Sequence, residues 1–258
     1  MRESFTYLFK DNKWLIKFLT VFVFIGVFTY GSHFYLVRSR NAEFLLPFAF
    51  WLPMAIGCLI SYIIVLGYRI ANIKVFQDLP DNIVLPYINL KANLKAGFKY
   101  FCAFVLFHLC WQILLAVCGI MTGLSFATYN RIFINTCCIL FLLVSATYLI
   151  YWILTEFGYV YMYSENPSFL NFFKFKELFS KIRNHKKQYF LAVGCNILLF
   201  LLIMTIYGTI NYFLLLLLNP LLMLLINTVL MAIMATYKFF VCNMLIAKSL
   251  KDNQSEGE

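Results

Sequence analysis

Charge is scarce in this chain. Of 258 residues only 12% are Asp, Glu, Lys or Arg, and just 11 are acidic. A soluble domain carries about 25% charged residues, so a fold bathed in water is excluded. Glycine is sparse too, at 11 residues. There is no dinucleotide loop, no Walker-type phosphate loop, no G-x-S-x-G elbow and no H-E-x-x-H. The three histidines, His33, His108 and His185, show no zinc-ligand spacing. The eight cysteines form no C-x-x-C pair, and most lie in apolar runs, where cysteine acts as a small hydrophobe. No disulfide framework, metal site or cofactor is expected.

What the chain has instead is apolar sequence: 63% hydrophobic and 19% aromatic residues, with a mean hydropathy of +0.82. Its main solvent must be lipid. The net charge of +10 does not point to nucleic acid, because Lys and Arg flank the apolar runs rather than forming a basic soluble face. Anionic lipid headgroups are the expected partner.

A helix needs about 20 apolar residues to cross a bilayer. Six runs qualify: 14–34, 44–68, 98–118, 132–155, 189–207 and 221–247. The first is too long for a signal-peptide core and should stay as an anchor. The Leu214–Leu218 run before Asn219-Pro220 either lengthens the fifth span or bends into the sixth. The fold class is therefore all-α, a polytopic transmembrane bundle. Residues 1–250 form one membrane domain, and 251–258 form a disordered polar tail.

Orientation follows from Lys and Arg. Eighteen of the 21 basic residues fall with the N-terminus, the 69–99 and 174–187 segments and the C-terminal end. Only Arg38, Arg40 and Arg131 fall on the other side. The expected location is the cell membrane, with both termini cytoplasmic. Tyr and Trp at run ends, among them Trp14, Tyr68, Tyr100, Tyr159, Tyr163 and Tyr189, read as interfacial belts.

The two inner segments look alike. Lys91, Lys95 and Lys99 make one stripe, opposed by Leu90, Leu94 and Phe98, with Asn89 as cap. In the later segment, Asn166-Pro167 suit a cap and first position. Phe169, Phe172, Phe173, Phe175, Phe179 and Ile182 then share one face, and Lys174, Glu177, Lys181 and Arg183 the other. Both read as amphipathic helices in the inner interface. The N-terminal segment has the same character. With Trp14, Tyr100 and Tyr189 as equivalent entries, a threefold parallel repeat follows, over 1–70, 86–160 and 168–250.

Gly67-Tyr68-Arg69, Asn72, the Asp78-Leu79-Pro80 turn and the polar helix through Gly97 and Lys99 resemble the prokaryotic multi-pass membrane proteins of unknown-function family 4013. The Ser168–Tyr189 segment is similar to that family's second interfacial element. One departure is the neutral Leu85-Pro86-Tyr87-Ile88, where an acidic-aromatic stretch is expected. The resemblance implies an integral membrane protein and supplies no catalytic residue.

Candidate sites fall in three groups. His108 and Gln112 share a helical face, and Asn196 and Asn227 add polar groups to the last two spans. Together they read either as interhelical hydrogen bonds or as an intramembrane polar site for a proton or substrate. Lys91, Lys95, Lys99, Lys174, Lys181, Lys186 and Lys187 are the headgroup contacts. Asp78, Pro80, Asp81 and Pro86 form a docking loop for a protein partner on the cytoplasmic face. Glu156 is expected either to cap at headgroup level or to pair with a nearby lysine. The favoured function is non-enzymatic: organising or sensing membrane, or holding a partner. The alternative is a permease, or the membrane subunit of a transporter working with a cytoplasmic partner. An intramembrane enzyme using His108 or Glu156 ranks last.

Overall fold

In lipid the backbone must satisfy its own hydrogen bonds, so long apolar runs become helices. The computed structural model describes residues 6–39, 48–78, 84–217 and 220–250, and every regular element among them is helical. A 3-10 turn, Tyr7–Lys10, precedes α1 (Trp14–Ser39). Then come α2 (Phe48–Asp78), α3 (Leu90–Ala127) and α4 (Arg131–Glu165). A second 3-10 turn, Phe169–Phe173, leads into the short α5 (Phe175–Asn184). It is followed by α6 (Lys186–Leu217) and α7 (Pro220–Ser249). Among the described residues five helices are long and apolar enough to cross a membrane, and α3 makes a sixth if its two parts, bent by 42°, count as one span.

The helices overrun the apolar runs. α3 continues to Ala127 and α4 begins at Arg131, so only 128–130 connect them. The Asn130 side chain accepts from the Ile132 and Phe133 amides and starts α4. α6 runs to Leu217, so the ambiguous leucine run lengthens the fifth span.

The interfacial helices differ from expectation. Asn89 does cap a helix, accepting from the Ala92 amide. That helix is α3 itself, which runs on unbroken through Lys99 and Tyr100. No Pro or Gly stops it after Gly97, and its hydrogen-bond ladder simply continues into the apolar run. In the later segment Asn166 follows the last turn of α4 rather than opening a helix, and its amide donates to the Met162 carbonyl. Phe169–Phe173 is a 3-10 turn, and a separate amphipathic helix exists only as α5. Its buried face is Leu178 and Ile182, which lie against Gly158 of α4; Phe172 is enclosed among the Tyr100, Phe107, Tyr159 and Tyr163 rings, while Phe169, Phe173, Phe175 and Phe179 are exposed. The N-terminal segment is not a surface helix either. Tyr7 and Leu8 are buried in the core.

α2 packs on α1, α3, α4 and α7, and α7 also holds α1 and α6. Burial is concentrated at one end of the bundle. It gathers the start of α1, the end of α2, the starts of α3 and α6, and the ends of α4 and α7. Both described chain ends lie there. The far halves of α3, α4 and α6 present exposed Leu, Ile and Phe.

This convergence overturns the belt expectation for five tyrosines. Tyr68, Tyr100, Tyr159, Tyr163 and Tyr189 are at most 2% exposed. A buried phenol needs a partner for its hydroxyl. Tyr7 donates to the Phe240 carbonyl and Tyr68 to the Pro86 carbonyl, at 2.7 and 2.8 Å. Tyr189 does something more unusual. Its hydroxyl donates to the Leu154 carbonyl at 2.6 Å and accepts from the Gly158 amide at 3.3 Å. Those two groups are one α4 turn apart, so α6 is clipped into the backbone of α4. Tyr189→Phe should remove both bonds and leave the Leu154 carbonyl and the Gly158 amide to each other as an i, i+4 helix pair, at about 1 kcal/mol for the lost tie between helices. The readout is a lower thermal midpoint of the detergent-solubilised protein. An unchanged midpoint would mean that the clip carries no stability.

Candidate functional site

The polar chemistry of the protein lies at the densely packed end. Three arrangements can be separated there.

The first is an ion pair between spans. Arg69 of α2 donates to Glu156 of α4 at 3.0 Å, with side chains 17% and 25% exposed. Glu156 thus pairs with arginine, not with the lysine expected. Close by, the Gln77 amide of α2 donates to the Ser164 hydroxyl of α4 at 2.9 Å. Arg and Glu this far apart in sequence leave no periodic signal. Only Arg69 standing inside the long apolar helix hinted that it needed a partner.

The second arrangement ties down the α2–α3 connection. Asp11 and Lys17 are 6% and 2% exposed. The Lys17 ammonium donates to Asp11 Oδ2 at 2.6 Å and to the Leu85 carbonyl at 2.5 Å. The Leu85 amide donates back to Asp11 Oδ2 at 2.9 Å, and the Lys13 amide to Oδ1 at 2.8 Å. Lys17 also lies 4.6 Å from the Tyr87 ring centroid. Burial pushes the Asp11 carboxyl up. The hydrogen bonds from Lys17, Lys13 and Leu85, with the Lys17 charge, outweigh it and hold the group below its ordinary value. Of the proposed docking loop, Pro80 and Asp81, and the side chain of Asp78, lie outside the described residues. Pro86 is half-buried, and its carbonyl is taken by Tyr68.

The third arrangement is the exposed basic set. Lys91, Lys95, Lys99, Lys186 and Lys187 are exposed, and they make no ion pair among the described residues. Lys174 and Lys181 are committed within the chain: Lys174 to Glu177 at 3.2 Å, Lys181 to Glu165. Lys181 also stands 5.1 Å from the Tyr161 ring.

The intramembrane polar residues do not hydrogen-bond to one another. His108 is buried between the Phe104 and Trp152 rings, at 4.2 and 4.4 Å, and its Nδ1 meets the Tyr148 hydroxyl at 2.9 Å. Its Nε2 has no hydrogen-bond partner among the described residues. Gln112 is exposed and also reaches Tyr148. On the other hairpin, Asn196 accepts from the Cys242 thiol at 2.9 Å, and the Asn227 carbonyl oxygen is buried with no partner among the described residues. Among the described residues no three His, Cys, Asp or Glu side chains stand close enough to hold a metal ion.

A family model described as a protein of unknown function, DUF4013, matches residues 51–212. The chain belongs to this family. The DUF4013 match takes in the Arg69–Glu156 pair, the Tyr189 clip and all five exposed lysines on α3 and α6, and it leaves out α1 and α7. No curated protein and no solved structure matches the chain.

Proposed function

We propose that this DUF4013 protein is a non-enzymatic membrane protein that gathers anionic lipid at the cytoplasmic leaflet. One observation carries this reading: Lys91, Lys95, Lys99, Lys186 and Lys187 stand exposed at the basic end of the bundle and make no ion pair among the described residues. On the same end, α5 turns Phe175 and Phe179 outward. Each basic residue near an anionic surface contributes roughly 1 kcal/mol. Exposed aromatic side chains next to them press into the same layer. The excess of Lys and Arg at this end supports a cytoplasmic placement for it, and for both termini.

The test is the lipid that the protein keeps. Purified in mild detergent, the full chain should retain anionic phospholipid above its share of the source membrane. The variant Lys91→Gln, Lys95→Gln, Lys186→Gln, Lys187→Gln should lose most of that excess, and added salt should weaken it. Equal retention by parent and variant would remove the basis for the proposal.

A further inference from the structure

An open groove of about 310 Å³ runs along the first turns of α3, facing the Tyr163–Phe169 segment. Lys99 stands at its mouth. Cys102 and Leu106 follow on the same wall, and Phe169 lines the opposite one. From Lys99 to Leu106 the helix rises about 10 Å at 1.5 Å per residue. Tyr163 and Ala103 form a buried floor, while Phe98 and Leu106 are exposed rims.

We infer that this groove seats one acyl chain of an anionic phospholipid, with the headgroup phosphate on Lys99. The inference rests on the leaflet proposal above and narrows it to one site. Three features favour this occupant. The lining is mainly apolar, with the Cys102 thiol and Tyr163 in it, and holds a single cation that has no carboxylate partner among the described residues. The groove runs inward from the basic end along a membrane span, so a bilayer lipid reaches it without leaving its leaflet. Its volume sits at the lower end of the roughly 300–1,000 Å³ usual for ligand pockets. It therefore takes part of one chain and leaves the rest of the lipid in the bilayer. A lysine stem lying over the groove with its ammonium at headgroup level is the expected snorkelling posture.

Cys102 supplies a native probe. The full chain is placed in nanodiscs of phosphatidylcholine, alone or with a minority of phosphatidylglycerol. It is treated with a membrane-permeant maleimide and read peptide by peptide by mass spectrometry. Cys138, on α4 and outside the groove, is the internal reference. Phosphatidylglycerol should slow labelling of Cys102 relative to Cys138 by about fivefold, the factor that one basic residue contributes at an anionic surface. Lys99→Gln should abolish the protection, and Lys95→Gln, one turn away, should keep it. No protection in the parent overturns the seat. Equal slowing of Cys138, or equal loss in Lys95→Gln, also overturns it, since either shows surface charge alone. The leaflet proposal fails separately, if the four-lysine variant outside the groove keeps its excess of anionic lipid.

Discussion

Gly97→Val is expected to leave almost no folded protein, and Gly67→Val likewise, whereas Gly123→Ala accumulates like the parent. The cause is the crossing of α2 and α3. A Cβ on Gly97 would run into the Ile63 carbonyl and stand 2.8 Å from the Gly67 amide nitrogen. A Cβ on Gly67 would run into the Asn93 carbonyl, with the Gly97 nitrogen again at 2.8 Å. Every obstructing atom is backbone, so no rotamer change can relieve the clash, and the helices must part. Overpacking costs about 1–3 kcal/mol where side chains can yield, and more where they cannot. Against a total stability of roughly 5–15 kcal/mol, separating the most extensive helix pair should be close to fatal. Small residues at such crossings are how membrane helices approach closely. Gly123 has nothing within 4 Å of its Cβ position. Alanine there should gain about 0.5–1 kcal/mol of helix stability. Expression level and monodispersity in detergent distinguish the three. A well-behaved Gly97→Val protein would show that the backbones do not meet there.

Lys17→Met should destabilise the protein by about 3–5 kcal/mol, the usual cost of leaving one member of a buried ion pair alone. Asp11→Ala should do the same from the other side. Replacing both, as Asp11→Leu with Lys17→Met, should recover part of the loss, because no charge is then stranded. Recovery stays incomplete, since the Leu85 amide and carbonyl both lose their partners. The pH dependence has a definite sign. Asp11 is held below its ordinary value in the folded protein. Its contribution is complete above the ordinary carboxylate range and disappears as pH falls through the lowered value. The parent should therefore keep this anchor at neutral pH and lose it only in acid. The Asp11→Ala protein should lack that acid-dependent loss. Thermal midpoints across pH for the four proteins test this. A single variant as stable as the parent would mean that the pair is not closed.

Much of this was visible in the residues. Six apolar runs at bilayer length forecast the spans, and the Lys and Arg distribution forecast a basic end. Asn89 was recognisable as a cap because its side chain type precedes a periodic segment. What stayed hidden depends on contacts between distant positions. Lys91–Lys99 has the pattern of an interfacial helix, but pattern alone carries no information on whether the helix ends at Tyr100. The tyrosines at run ends fit a belt as well as a core. Only the convergence of the helices decides which, by enclosing Tyr68, Tyr100 and Tyr189. Gly67 and Gly97 were noted as parts of motifs, yet their pairing needs the crossing itself. Of the candidate sites, the exposed lysines were found by charge. The groove behind Lys99 was not, because its second wall comes from Tyr163–Phe169.

The tightly tied basic end and the exposed far halves of α3, α4 and α6 make the two leaflets unequal neighbours. On the tied side, side chains fill the space between helices at protein density. On the far side, acyl chains must complete that packing. The order of the hairpins at the far end is thus partly a property of the host bilayer. Its thickness and chain saturation govern how those hairpins tilt and move, while the knot at the other end holds its shape in any membrane.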